Sequence, residues 1–157
     1  MIERLGSADA AERESARRVL IEQGTPAIGP LIDALSSAQT HIRWEAAKAL
    51  EALAPPDATI ALVSCLEDRD EGVRWVASEA LAAIGRPAFA PLLQALVDSP
   101  KSEWLRQGAH HVLHHARLRS DPISAPLLAA LESEEPELKV PPAAYDGLRK
   151  LGVLKDA

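Results

Sequence analysis

Four histidines crowd one short run of the chain, His110, His111, His114 and His115 in "HHVLHH". Residues four apart project together from a helix, so such pairs have the spacing of a two-point transition-metal chelate. The second group able to act on a partner is a set of three tryptophans, Trp44, Trp75 and Trp104, in a chain with only two other aromatic residues, one Tyr and one Phe. Indoles bind by stacking and by covering apolar or cationic surface. The single cysteine, Cys65, allows neither an internal disulfide nor a cysteine zinc site. No Gly-rich phosphate loop, no Ser-His-Asp set and no isolated carboxylate pair accompanies these residues, so no catalytic constellation is legible and no cofactor is expected.

Composition sets the frame for these residues. The 157 residues are 47% hydrophobic and 25% charged, which suits one soluble globular domain spanning 1–157. The formal charge of −6 opposes a sequence-independent grip on phosphates, making nucleic acid an unpromising partner. No stretch approaches eighteen consecutive apolar residues, and the opening "MIERLGSADAAERE" is charged where a secretory leader needs its apolar segment. The expectation is a cytoplasmic protein with no membrane span.

The elements that must position the histidines and tryptophans come from an internal repeat. "IRWEAAKAL" (42–50) returns as "VRWVASEAL" (73–81), and Arg13, Arg43, Arg74 and Arg106 recur at intervals of thirty to thirty-two residues. Each Arg is followed three residues on by Ala and seven on by Leu, as in Ala46 and Leu50. A second segment follows every time, such as "AIGPLIDAL" ending at Leu35 and "AFAPLLQAL" ending at Leu96. The copies span about 7–35, 36–66, 67–96 and 97–131, and a degraded half copy covers 132–157, with Lys139 where the Arg should be. Leu5 stands thirty residues before Leu35, as the stub of an earlier second segment would.

Both parts of the unit read as helices. Ile42, Ala46, Ala49, Leu50 and Leu53 form one apolar stripe at helical spacing. Gly24 and Gly85 supply stop signals, Thr25-Pro26 and Asp121-Pro122 supply starts, and Pro30, Pro91 and Pro126 should bend the second helices slightly without breaking them. Helix pairs of this length cannot bury their own apolar faces, so they must stack into a solenoid.

The pattern "VRxxAxxAL…IG…A…PLLxAL" resembles the HEAT-repeat family, in particular a short bacterial type similar to the phycobilisome bilin lyases. The likeness covers almost the whole chain. It implies an all-α, right-handed α–α superhelix of about four helical hairpins plus a terminal half repeat, and it leaves function open, because one solenoid design serves many tasks. Deoxyhypusine hydroxylase is similar too, but it carries His-Glu metal ligands directly after the repeat Arg. Trp44-Glu45, Trp75-Val76 and Gln107-Gly108 stand there in this chain, which excludes that activity. HEAT-like DNA glycosylases place Trp and an acid on a strongly basic surface, and this surface is not basic.

On a helical wheel with the Arg at zero, the apolar stripe centres near roughly 285°, while positions −2, +1, +2, +5 and +9 gather at roughly 100–200°. Trp44 and Trp75 at +1 and Trp104 at −2 therefore share the side away from the core. In the families resembled, that side lines the concave surface. Two roles are open to the indoles, sealing the repeat junctions or anchoring a partner. The rim around them, Glu14, Arg18, Glu45, Lys48, Glu79, Glu103 and Gln107, with His111 on the same face, has no dominant sign and suits a protein or peptide. The expected function is a non-catalytic protein–protein interaction scaffold, with a bilin-lyase-like or other small-ligand role on the same face as the alternative. Glu79, His111 and His115 could meet as a two-His, one-Glu metal site, whereas solvated or partner-contacting histidines are the commoner outcome on an exposed helix. The recurring arginines sit at the core edge and should bond loop carbonyls or an Asp such as Asp68 or Asp98. Cys65 aligns with Ala34, Ala95 and Ala130 and reads as a small buried residue.

Overall fold

In the computed structural model, which describes residues 1–115 and 117–154, the chain is built from helices joined by tight turns. In chain order they are α1 (Ala10–Gln23), α2 (Thr25–Ala34), α3 (Thr40–Leu53), α4 (Thr59–Cys65), α5 (Glu71–Ile84), α6 (Phe89–Asp98), α7 (Glu103–His114), α8 (Ser124–Leu131) and α9 (Pro136–Lys150). A short 3-10 turn, Ile2–Gly6, precedes them and buries Leu5, the residue placed as a repeat stub. There is no strand among the described residues, and no single helix is long and apolar enough to cross a membrane.

Local chemistry explains where the helices start and stop. Asp9, Asp70 and Ser102 cap α1, α5 and α7, each accepting a hydrogen bond from a first-turn N–H. Gly24 (φ 66°) and Gly85 (φ 81°) end α1 and α5 with a positive φ. At the same point of the second repeat stands Ala54, with φ 47° and ψ 46°, so an L side chain is held in the left-handed region. Ala54→Gly is therefore expected to stabilise the protein by about 0.5–1 kcal/mol, the relief of strain exceeding the extra freedom of the unfolded chain. Urea denaturation of the two proteins checks this. The start of α2 differs from expectation: its N-cap is Gly24, and no side chain caps it. Pro30 lies inside α2, which runs on through it.

The first helices of the repeats, α1, α3, α5 and α7, pack in a continuous row, each touching the next. Behind them α2 rests against α3, α4 against α5 and α6, and α7 against α8. The core lies between these layers and includes Leu31, Leu50, Leu62, Leu81, Phe89 and Leu93, all fully buried. Burial of this apolar surface is the main force holding short hairpins together.

The arginines serve this row in one way. Arg13, Arg43, Arg74 and Arg106 each donate from Nη1 to the carbonyl six residues upstream, on Ser7 (2.7 Å), Ser37 (2.9 Å), Asp68 (2.8 Å) and Pro100 (2.5 Å). Arg43 also forms a two-pronged bond to the Asp68 carboxylate, Nε to Oδ2 at 2.7 Å and Nη2 to Oδ1 at 2.9 Å. Asp98, the other acid expected in that role, accepts from Gln94 instead.

The row of first helices ends at α7, and its neighbours say why. Position +4 is Ala47 in α3 and Ser78 in α5, both buried, which lets the next first helix approach closely. In α7 the same position is His110, and the position one turn on is His114. The two rings stack with centroids 5.5 Å apart, and His110 Nε2 lies 2.9 Å from Glu132 Oε1. This end face is polar and bulky. The terminal helix α9 instead seats against α6 and α8, where Gly147 permits close approach: a Cβ there would lie 2.9 Å from Leu93 Cδ1 and 3.1 Å from Ile123 Cγ2.

Candidate functional site

Over α5 and α7, and reaching round α7 to Leu131 at the end of α8, lies an open groove of about 740 Å³. Trp75, Trp104, Arg74, Glu71, Glu103 and Gln107 form one part of its lining, and the four histidines of "HHVLHH" line its other part. Trp75 is 60% exposed and Trp104 44% exposed, the largest aromatic surfaces the described residues offer to solvent besides Tyr145. The fold thus brings Trp75 of α5 to Trp104 and the histidine run of α7, about thirty residues on in the sequence.

The tryptophans are not equivalent. Trp44 is half-buried: its Cδ1 lies near Gly72 at the start of α5, 3.5 Å from where a Cβ on that residue would stand. Arg17 of α1 sits over it, guanidinium carbon 5.8 Å from the ring centroid. Trp104 is covered on one side by Arg74, at 4.4 Å. Trp75 meets His111, ring centroids 4.5 Å apart and tilted by 57°. His111 Nε2 in turn hydrogen-bonds Glu79 Oε1, tying α5 to α7 beside the groove.

The expected rim needs correction at Glu45. It is only 5% exposed, and its carboxylate faces α1, where Arg17 Nη1 bonds Oε2 and Arg13 Nε lies 3.5 Å from Oε1. The reason is positional. Each inner first helix is flanked on both sides by other first helices, so the exposed strip is narrower than a single helix suggests, and position +2 falls under the preceding neighbour. Val76 at the same position is also buried, and a Cβ on Gly108, its equivalent in α7, would lie 2.8 Å from Leu66 Cδ2. Lys48 is partly exposed and paired with Glu51 Oε2 at 2.7 Å, outside the groove. Gln107 is exposed on the groove and donates to Glu103 Oε1 at 3.1 Å.

The set Glu79, His111 and His115 does not assemble as metal ligands. The first two meet, but α7 ends at His114, and His115 is its cap, with φ −55° and ψ 139°. Leaving the helix there removes the one-turn spacing that would have aligned it with His111. Among the described residues no three His, Cys, Asp or Glu side chains are placed to hold a metal ion.

Among the described residues Glu12, Arg43, Cys65 and Asp68 have shifted acidities, and none of them lies in the groove. Burial, and then the nearby Asp68 charge, push the Cys65 thiol up to about 11, so it is a neutral, packed side chain at pH 7 and not a nucleophile. At Asp68 the effect of burial, which alone would raise the carboxyl, is outweighed by the bonds from Arg43 and from the Asp70 N–H, which hold it below the usual aspartate range.

Glu103, expected on the Trp-bearing face, lines the groove, and sequence reasoning missed Glu71 and Arg74. Glu71 is at −3 from its repeat arginine, the place that Glu103 holds in α7. Arg74 was assigned to structure alone, and it serves both ends, its guanidinium bonding the Asp68 carbonyl and covering Trp104.

No curated protein shows a significant match to the chain. The family profile for HEAT repeats matches it over residues 1–69 and again over 30–114. That match is to the repeat and does not extend to the bilin-lyase likeness. With overlapping matches across most of its length, an arginine of each first helix tied to its own upstream loop, and paired helices in stacked layers, the chain belongs to the HEAT-repeat family.

Proposed function

We propose that this protein is a non-catalytic interaction module that seats a protein or peptide segment in the groove over Trp75 and Trp104. HEAT repeats commonly mediate protein interactions, and what singles out this face is one observation: the two most exposed indoles line the same open groove. In this reading Trp75 and Trp104 are the anchors, while Gln107, His111 and Glu79 form the polar surround. Trp44 and Glu45 support the site from within the row, and Lys48, outside the groove, takes no part in it. The mixed lining suits a polypeptide better than a nucleic-acid backbone, which wants a dominant positive field.

A photo-crosslinking side chain at Gln107, on the groove, compared with one at Ile60, which is 73% exposed on α4, tests this in the source cell. A discrete adduct from position 107 that is absent from position 60, and that disappears when Trp75 and Trp104 are replaced by Ala, is expected. Equal adducts from both positions, or adducts indifferent to the double replacement, would overturn the reading.

A further inference from the structure

The repeat allows the three tryptophans to be compared position by position. Two of them are covered by an arginine from the preceding first helix, Trp44 by Arg17 of α1 and Trp104 by Arg74 of α5. Arg17 stands four residues after its repeat arginine. In α3 the same position, facing the junction that holds Trp75, is Ala47, which is fully buried and carries no charge. Among the described residues no arginine or lysine lies over Trp75, and it is the most exposed indole of the set. Among the described residues its one aromatic-ring contact is His111, which is itself engaged with Glu79.

Charge points the same way. Of the groove's arginines, Arg74 and Arg106 are both tied to main-chain carbonyls of the loops behind them, on Asp68 and Pro100. The carboxylates of Glu71 and Glu103 sit exposed on the groove in the first turns of α5 and α7, and the chain as a whole carries −6. An exposed indole face beside exposed carboxylates is complementary to a guanidinium, which stacks flat on the ring while its N–H groups reach the acids.

We infer that the partner supplies an arginine side chain, from a basic segment, to the open face of Trp75, in trans what Arg17 and Arg74 do for Trp44 and Trp104 within the chain. This rests on the groove being the binding site. The neighbouring arginines show that the face of this helix row accepts guanidinium on indole, and the third indole lacks one of its own.

Three peptides of equal length, with arginine, norleucine or glutamate spaced by glycine, are titrated against the whole protein. The readouts are fluorescence anisotropy of the labelled peptide and the Trp75 indole N–H resonance. The arginine peptide should bind and shift Trp75. Its affinity should fall about 2- to 30-fold in Trp75→Ala, the range of a cation–π contact. The fall should be similar in the double variant Glu71→Gln/Glu103→Gln, and Ile60→Ser should change nothing. Trp75 is mostly exposed, so its replacement leaves the fold intact, and a melting transition that stays cooperative and shifts by no more than about 4 °C confirms this. If the norleucine or glutamate peptide binds as tightly and still shifts Trp75, the groove reading stands and the arginine inference falls. If the arginine peptide binds without regard to either groove variant, or fails to bind, the inference also falls. Crosslinking from Gln107 then decides separately whether the groove is a site at all.

Discussion

Replacing Asp68 by Ala is expected to cost about 3–5 kcal/mol, because it leaves the Arg43 guanidinium buried without its counter-charge. The two side chains are only 9% and 7% exposed, so solvent screens the pair little. Their bond joins the loop after α4 to the loop before α3, since Arg43 also holds the Ser37 and Ala38 carbonyls. Asp68 further accepts the Asp70 N–H at 2.8 Å, and its carbonyl accepts from Arg74, so one residue ties the second repeat to the third. The effect carries a pH signature. The folded carboxyl is held below the ordinary aspartate range, so the unfolded chain takes up this proton first as pH falls. The stability from this group is complete above the unfolded value and is lost as pH drops through the lower, folded value. The gap between the parent protein and Asp68→Ala should therefore be widest near neutrality and narrow below about pH 4. Urea denaturation at several pH values measures it. A gap that stays constant with pH would show that Asp68 acts by packing rather than by charge.

Leu50→Ala is the second large loss, about 2–5 kcal/mol, because Leu50 is fully buried in α3 and its truncation leaves a cavity that close-packed neighbours only partly fill. In a stacked array the damage spreads to the adjoining repeats, since α3 touches both α1 and α5. The tryptophans calibrate this value. Trp44→Ala removes a half-buried ring that lies on α5 at Gly72 and under Arg17, and should cost about 1–2 kcal/mol. Trp75→Ala, at 60% exposure, should cost about 1 kcal/mol or less. Chemical denaturation of the three variants checks the order Leu50, Trp44, Trp75. If Trp75→Ala destabilised as much as Leu50→Ala, the indoles would be junction packing and the groove would lose its anchors.

Helices, repeat length and the structural duty of the arginines were legible in the sequence because each is a local matter. A helix needs only its own apolar spacing and caps, and an arginine that bonds the carbonyl six residues upstream reaches within its own repeat. The burial of Leu50, Ala46 and Ala49 follows from the same stripe. Position 65 was legible by alignment, since a residue in register with three alanines has room only for a small side chain, as the buried Cys65 shows.

The sequence by itself thus determined that this is an all-helical HEAT-repeat chain, which face of each first helix meets its second helix, and that the tryptophans lie on the other side. Only the tertiary structure decided what became of that other side. A wheel gives an angle about one axis, whereas burial depends on two neighbouring helices thirty residues away in each direction. Glu45 is therefore covered by α1 and bound to Arg13 and Arg17, while Gln107, at +1 in the last first helix, stays open. Trp44 and Trp75 share one wheel position and differ because Arg17 precedes the first and Ala47 precedes the second. The seat of α9 on α6 and α8 was likewise a choice between competing surfaces, made by a bulky polar histidine pair at one end and a close-packed glycine at the other.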